Sequence, residues 1–152
     1  MKKPLVSILM PAYNAEKYIG NSIESILNQT FKDFELIISD DASTDKTWDI
    51  IKKYKQKDGR IVVTRNAKNR YIAENRNRLI KLAKGKYIAW QDADDISDSN
   101  RIQKQYEFME KNPKVGIVGG YLKFFDDRGV TGIRKYAEND KELRKNILQY
   151  YK

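Results

Sequence analysis

The sequence predicts an α/β fold with a mainly parallel sheet flanked by helices. Short runs rich in branched and aromatic residues, which favour strands, alternate with segments in which apolar residues recur at helical spacing. Such alternation is typical of parallel strands joined by right-handed helical crossovers. A chain of 152 residues has the length of one domain and can bury a proper core.

The strand-like runs are four in number and a longer fifth region follows them. They cover residues 5–10, 34–39, 61–64, 86–90 and 115–125. Four helices are predicted between and after the first strands, each with one apolar stripe. The stripes consist of Ile19, Ile23, Ile26 and Leu27; Trp48, Ile51 and Tyr54; Ile72, Leu79, Ile80 and Ala83; and Ile102, Tyr106 and Met109.

The ends of these elements carry recognisable signals. Gly85 lies where the third helix is expected to end in a left-handed residue. Farther on, residues 126–129 (Asp-Asp-Arg-Gly) predict a hairpin turn, and residues 138–151 predict one last amphipathic helix.

The composition excludes several kinds of chemistry. The chain has no His and no Cys, so Ser-His-Asp and Cys-His nucleophiles, disulfides and thiolate or imidazole zinc sites are ruled out. Acid–base or metal chemistry must therefore use carboxylates.

The net charge of +9 raises the question of an anionic partner. Basic residues are mixed with acids and form no tract of about five or six like charges, so solvated helix faces are the main interpretation and no nucleic acid partner is expected. Peripheral contact with anionic lipid remains an alternative. No apolar run reaches the roughly 18 residues of a membrane span. We therefore expect a cytoplasmic protein, with the inner membrane face as an alternative location.

Three unusual clusters follow predicted strands. They cover residues 11–14 (Pro-Ala-Tyr-Asn), 40–45 (Asp-Asp-Ala-Ser-Thr-Asp) and 92–95 (Asp-Ala-Asp-Asp). In an open parallel sheet, ligands bind outside the carboxyl ends of the strands, near a switch in strand order. The coincidence of the three clusters predicts a binding site there.

The cluster over residues 92–95 suits a hard cation. Asp92, Asp94 and Asp95 repel one another unless water or a cation relieves them, and oxygen ligands favour Mg²⁺ or Mn²⁺ with a phosphate partner. A solvated capping loop is the alternative. A calcium loop of the EF-hand type does not fit, because Ile96, Ser97 and Gln103 occupy its key positions.

Two other enzyme classes are weaker matches. An aspartyl-type phosphatase would use Asp92 as nucleophile and Asp126-Asp127 as a downstream acid pair, but Ile96 stands where that pattern needs a hydroxyl or small branched residue. It is kept as a minor alternative. Pro11 and Asn14 occupy the turn in which dinucleotide and P-loop enzymes have glycine-rich loops, which disfavours hydride transfer and P-loop hydrolysis.

The remaining candidates each have two interpretations. Asp40 and Asp41 are good capping residues for the following helix, and a carboxylate there could instead accept an N–H from a base or hold a ribose hydroxyl. Arg76 is either a solvated side chain or a guanidinium that stacks on a base or binds a diphosphate.

Taken together, these residues resemble the nucleotide-sugar-binding portion of the family 2 inverting glycosyltransferases, which have the Rossmann-like GT-A fold. The matching stretches are residues 6–14, 36–45, 76–77 and 83–95, together with Arg101. The resemblance covers residues 4–125. It implies that residues 1–152 form a single GT-A-type domain truncated after the donor-binding half (1–125), with 126–152 beginning the acceptor half.

The resemblance also implies roles for the candidates. The nucleotide pocket would be lined by Pro11, Ala12, Tyr13 and Asn14. Asp40 or Asp41 would meet the base, usually uracil, with Arg76 alongside. The sequence Asp92-Ala93-Asp94 matches the family's D-x-D motif, so Asp94, helped by Asp92, would bind Mn²⁺ or Mg²⁺ on the two phosphates, and Asp95 would lie near the ribose or sugar.

The implied reaction is inverting sugar transfer in polysaccharide biosynthesis. The metal neutralises charge on the departing nucleoside diphosphate while a hydroxyl of a saccharide or lipid-linked acceptor attacks from the opposite face. The family's later acidic motif, which holds the base, and its Q-x-x-R-W motif are not recognisable in residues 126–152. We therefore expect a donor-binding fragment with an uncovered surface that favours self-association. A noncatalytic nucleotide-sugar-binding module is the alternative.

Three positions depart from the family pattern beside the expected base site. The family often has glycine where Tyr71 and Arg78 stand, and D-G-S where this chain has Asp41-Ala42-Ser43.

Overall fold

The structure is a computed structural model that describes residues 3–139 and 141–142. Its first eight elements confirm the predicted alternation. They are β1 (Val6–Ala12), α1 (Ile19–Leu27), β2 (Phe34–Asp40), α2 (Thr47–Lys57), β3 (Ile61–Arg65), α3 (Tyr71–Leu82), β4 (Tyr87–Trp90) and α4 (Arg101–Lys111). The chain divides into two compact units, Met1–Glu110 and Lys111–Lys152.

In the first unit the four strands form one parallel sheet in the order β3-β2-β1-β4. The chain moves outward from β1 through β2 to β3 and then returns to the other side of β1 to add β4. The direction of winding therefore reverses at β1. In open α/β sheets the crevice at such a switch point is the usual ligand site, and here it lies above the carboxyl end of β1.

Both faces of the two central strands are covered, so β1 and β2 are buried along their whole lengths. Ile8 and Leu36 pack on one face with the apolar stripes of α1, α2 and α4. Leu9 and Ile37 pack on the opposite face against Leu79 of α3. Burial on both faces explains why these strands are continuous apolar runs rather than alternating ones.

Glycine is needed at position 85 for a different reason from the one predicted. Among the glycines of the described chain only Gly129 has a positive φ, so Gly85 is not a left-handed helix end. A Cβ atom at Gly85 would instead lie 2.5 Å from the backbone nitrogen of Ser7. The Gly85 N–H donates to Ser7 Oγ at 2.8 Å. Glycine is required here because the chain passes directly against β1 before it enters β4.

The second unit contains an antiparallel hairpin of β5 (Leu122–Asp126) and β6 (Gly129–Arg134). The turn predicted at residues 126–129 is confirmed. The strand predicted over 115–125 is wrong at its start, because residues 115–121 are not in a strand; Gly116, Gly119 and Gly120 weaken strand formation there. The helix predicted over 138–151 lies largely outside the described residues. No helix in the described ranges has the length and apolar character needed to cross a membrane.

Candidate functional site

The sheet brings the three predicted clusters to one edge. Ala12 at the end of β1 is paired with Asp40 at the end of β2. On the other side, Leu9 is paired with Trp90, the last residue of β4, and accepts the Gln91 N–H at 3.0 Å. The loops after β1, β2 and β4 therefore open onto the crevice at the switch point.

Hydrogen bonds join the loops after β1 and β2. The Asp41 N–H donates to the Ala12 carbonyl at 2.8 Å. Asn14, which has a left-handed φ of 47°, donates its N–H to Ser43 Oγ at 2.9 Å and accepts the Thr44 N–H on Oδ1 at 2.9 Å. The Asn14 side chain thus fixes one loop to the other.

The other residues of the first cluster differ in exposure. Pro11 and Ala12 are buried in the last positions of β1, whereas the Tyr13 side chain is 50% exposed. Pro11 and Ala12 can therefore form a floor, and Tyr13 is the member whose ring is available to a ligand.

Asp40 carries the most unusual atom of the site. Its side chain is completely buried, and Oδ2 receives Arg65 Nε at 2.8 Å and the Ser43 N–H at 3.3 Å. Oδ1 is also buried but has no hydrogen-bond partner among the described residues. An unpaired buried acceptor is costly, roughly 1–3 kcal/mol or more for a charged group. Oδ1 is therefore an acceptor that the described residues leave unsatisfied.

Both carboxylate oxygens of the adjacent acid, Asp41, accept hydrogen bonds from the protein. Its Oδ1 receives Asn66 Nδ2 at 2.7 Å, and the Arg70 N–H approaches Oδ1 and Oδ2 at 2.9 and 3.1 Å. These bonds hold the loop that follows β3. Of the two acids predicted for the base, Asp40 has the free oxygen and Asp41 positions the surrounding backbone.

A buried polar network supports Asp41, and two of its members were missed in the sequence. Asn66 also accepts a hydrogen bond from Arg78, at 2.7 Å, and donates to Asn75 Oδ1 at 3.3 Å. Asn75 donates in turn to the Ser39 carbonyl at 3.1 Å. The signal that could have found Asn66 is its place directly after β3, at the same sheet edge as the other clusters.

Two residues beside this network have a left-handed backbone although they are not glycine. Ala42 and Tyr71 both have φ of 62°. These are two of the positions where the resembling family often has glycine, and the left-handed conformation gives that preference its physical reason. The third departure, Arg78, instead joins the network through Asn66 and donates to Thr64 Oγ1 at 2.6 Å.

On the β4 side, Arg76 is paired and stacked. Its guanidinium lies 5.1 Å from the centre of the Trp90 ring and donates to Asp92 Oδ1 at 3.0 Å. Arg76 Nε is buried and has no hydrogen-bond partner within residues 3–139 and 141–142. The structure thus places Arg76 next to the D-x-D acids, with one N–H still available.

The loop that carries the acids is built around Gln91. Its Nε2 donates to the carbonyls of Asp92 and Asp95 at 3.2 and 2.8 Å, and its Oε1 accepts from Arg101 at 2.9 Å. Arg101 also donates to the Trp90 carbonyl at 2.6 Å, and burial lowers its pKa. The hydrogen bonds of Gln91 and Arg101 therefore fix the conformation of the acidic loop.

The acids themselves are exposed and crowded. Ala93 is buried while Asp92 and Asp94 face solvent. Partial desolvation, followed by the nearby charges of Asp92 and Asp94, raises the pKa of Asp95 although much of its side chain reaches solvent. The Asp94 carboxylate makes no hydrogen bond or ion pair with any residue that the structure describes. This side of the crevice has an excess of negative charge that Arg76 relieves only at Asp92.

The carboxylates of Asp92 and Asp94 are suitable ligands for a hard divalent cation that also binds a phosphate group. In the described part of the chain no three acidic side chains converge as a ready metal cage. Mg²⁺ usually takes only one or two carboxylates, however, and completes its shell with substrate phosphates and water. Asp94, with Asp92, offers such carboxylates, and an added positive charge would relieve the repulsion among these neighbouring acids.

Known proteins share this sequence and fold. Residues 7–151 match the family described as Glycosyl transferase family 2. The UDP-Glc:alpha-D-GlcNAc-diphosphoundecaprenol beta-1,3-glucosyltransferase WfaP of Escherichia coli is 48% identical over 131 residues, which are 85% of this chain and 50% of that protein. The chain spans about half the length of the curated relatives it matches.

Two solved structures have the same fold. S. aureus TarS 1-349 in complex with UDP-GlcNAc matches with a TM-score of 0.67 and 30% identity, over 74% of this chain and 32% of that one. The mannosyltransferase PcManGT from Pyrobaculum calidifontis, in complex with GDP-Man and Mn²⁺, matches with a TM-score of 0.66 and 20% identity over 72% and 33%. The sheet order, the D-x-D loop after β4 and the family match over residues 7–151 agree, and the chain belongs to glycosyl transferase family 2.

Proposed function

We propose that this chain binds the nucleotide-sugar donor of an inverting, metal-dependent glycosyltransferase, and that the donor is a UDP-sugar. The observation that carries the proposal is the buried, unpartnered Asp40 Oδ1 at the switch point of the sheet. Family membership supports sugar transfer over the aspartyl-phosphatase alternative. The names of WfaP and of the TarS complex, with UDP-Glc and UDP-GlcNAc, support a uridine nucleotide.

The base preference follows from the chemistry of Asp40. Uracil and thymine present an N3–H donor that can satisfy Oδ1, whereas cytosine presents an acceptor at N3 that the carboxylate would repel. A site with a buried hydrogen-bonding group rejects a ligand that leaves this group unpaired. Tyr13 and Asn14 would border the nucleotide above the floor of Pro11 and Ala12.

The phosphate side would use the acids after β4. Asp94 and Asp92 would hold Mn²⁺ or Mg²⁺ together with diphosphate oxygens, and the ion would supply charge neutralisation on the leaving group. Mn²⁺ in the PcManGT complex supports this choice. Asp95 would lie by the ribose or sugar. Arg76 keeps Asp92 oriented and offers its free Nε–H to the diphosphate.

For the sugar acceptor, we propose a chemical class. The name of WfaP includes a diphosphoundecaprenol-linked saccharide, and this supports a saccharide or lipid-linked acceptor. Such an acceptor would suit peripheral contact with anionic lipid and a role in polysaccharide biosynthesis. The catalytic base is not assigned to a residue of this chain.

A melting screen tests the proposal. Unfolding temperatures are measured with UDP, GDP, CDP and dTDP, each with Mn²⁺ and with EDTA. We expect UDP to stabilise the chain only with the metal, by about 2.7 kcal/mol at a concentration a hundredfold above its dissociation constant, and CDP to have little effect. Equal shifts for all four, or shifts that survive EDTA, would contradict the base or metal assignment respectively. Sugar transfer or donor hydrolysis by the protein then separates an enzyme from a noncatalytic module.

A further inference from the structure

Tyr71 combines a strained backbone with a ring that the protein does not use. Its φ of 62° is a left-handed value that a bulky side chain adopts only at a cost. The side chain is 79% exposed, the highest value for an aromatic residue in the described chain. It makes no aromatic, cation–π or hydroxyl contact with the described residues. Within the described residues, no contact of these kinds compensates for an aromatic residue at this position.

The strain is imposed by the candidate site. The Arg70 N–H is held on both oxygens of Asp41, and the Tyr71 N–H donates to Asn69 Oδ1 at 2.8 Å. These bonds fix the backbone on either side of Tyr71 where the chain enters α3. The left-handed conformation is thus part of the same network that positions the Asp41 loop.

The backbone at Tyr71 is linked to the segment that carries the unsatisfied acceptor. Tyr71 follows the residue that touches Asp41, and Asp41 follows Asp40, whose buried Oδ1 has no partner in the described residues. The Arg70 guanidinium does not compete for this space, because it is paired with Glu74 at 2.6 Å. The Tyr71 backbone is therefore joined to the Asp40–Asp41 segment through the Arg70 N–H, and its exposed ring is not engaged by the described residues.

We propose that Tyr71 binds the face of the nucleobase whose N–H is received by Asp40. Stacking on an aromatic side chain contributes substantially to the binding of a base and does not depend on hydrogen bonding. The inference rests on the proposed function and extends it. Asp40 selects the base by its edge, and Tyr71 contributes affinity through its face. In this chain a glycine-favouring position would then hold tyrosine at the expense of stability.

The test compares three variants with the parent by calorimetric titration in Mn²⁺. Tyr71→Gly should raise the unfolding temperature, because it relieves the backbone, and should weaken UDP binding by roughly 5- to 150-fold. Tyr71→Phe keeps the ring and should keep most of the UDP affinity. Ile80→Ala is the control: it removes an exposed apolar side chain near the far end of the same helix, α3, so UDP affinity should not change.

A base-free probe completes the experiment. Inorganic pyrophosphate with Mn²⁺ should bind the parent and Tyr71→Gly equally. Unchanged UDP affinity in Tyr71→Gly, or equal losses for UDP and pyrophosphate, would overturn the role of Tyr71 and leave the proposed function intact. A parent that binds no UDP would overturn the proposed function, and this inference with it.

Discussion

Arg65 binds Asp40 through one carboxylate oxygen only: its Nε lies 2.8 Å from Oδ2, while Oδ1 has no partner in the described residues. The arrangement orients the Asp40 carboxylate and leaves one of its oxygens as an acceptor. Asp41 does the opposite, because both of its oxygens receive N–H groups of the protein. Two consecutive acids thus have separate tasks, one in binding and one in structure.

The structural task of Asp41 predicts a large loss of stability on its removal. Asp41→Ala would remove the shorter of the two hydrogen bonds that the buried Asn66 amide donates, and both acceptors of the Arg70 N–H. We expect the free energy of unfolding in urea to fall by roughly 2–4 kcal/mol. Asp49→Ala is the control, since it removes an exposed acid paired with Lys52 and should have a much smaller effect on stability. Similar urea midpoints for the two variants would refute the structural role.

Asp94 is expected to control metal dependence rather than stability. Its carboxylate is exposed and, in the part of the chain that the structure describes, makes no hydrogen bond or ion pair that removal would break. Asp94→Ala should therefore melt like the parent when no ligand is present and lose most of the extra stabilisation that UDP gains from Mn²⁺. Asp127→Ala, at an exposed acid in the β5–β6 turn, should keep that stabilisation. An Asp94→Ala protein that titrates with UDP and Mn²⁺ like the parent would show that the metal is held elsewhere.

The raised pKa of Asp95 predicts that this residue makes the folded protein less stable as pH rises. Its pKa is raised in the folded protein by partial desolvation and by Asp92 and Asp94, so the folded state binds the proton more tightly than the unfolded state does. The contribution of Asp95 to stability therefore decreases as pH rises from its ordinary value of 3.8 through the raised pKa.

The corresponding variant is Asp95→Asn, which mimics the neutral side chain. It should be more stable than the parent at pH 7, and the difference should disappear as the pH falls below 3.8. Urea midpoints of both proteins measured across this range provide the check. A gain that stays constant with pH would show that the charge of Asp95 is not the cause.

Gly85 predicts a steric effect on the sheet. In Gly85→Ala the new Cβ would lie 2.5 Å from the Ser7 nitrogen, and backbone rather than a flexible side chain would have to move. We expect a loss of about 3 kcal/mol, at the upper end of typical overpacking. Gly59→Ala is the matched control, because its Cβ would meet nothing within 4 Å. Thermal unfolding of the two variants distinguishes contact at β1 from a general effect of replacing glycine.

Two local signals were sufficient to predict the first eight elements: the strands are short runs rich in branched and aromatic residues, and the helices have apolar residues at helical spacing. The beginning of β5 was not predictable in this way, since the apolar residues at 115–121 are interrupted by glycines that leave them outside a strand. The rule that ligands bind at the carboxyl ends of parallel strands located all three clusters.

The division of roles within the clusters was beyond the sequence. Asp40 and Asp41 are adjacent and chemically identical, and what distinguishes them is contact with Arg65, Asn66 and Arg70, which come from segments farther along the chain. In the same way, the reason for Gly85 lies in its contact with Ser7 across the sheet. Local pattern cannot show such pairings, because each depends on the completed fold.

The central position of β1 has a consequence for how the crevice assembles. Val6 pairs with Phe34 on one side and with Tyr87 on the other, so the second pairing must close a much longer stretch of chain. Contacts between distant segments generally form more slowly. We therefore expect β1 and β2 to associate first on refolding, with Asp40 in place before the loop of Asp92 and Asp94 docks beside it. Metal-dependent diphosphate binding would then be the last property that a refolding chain regains.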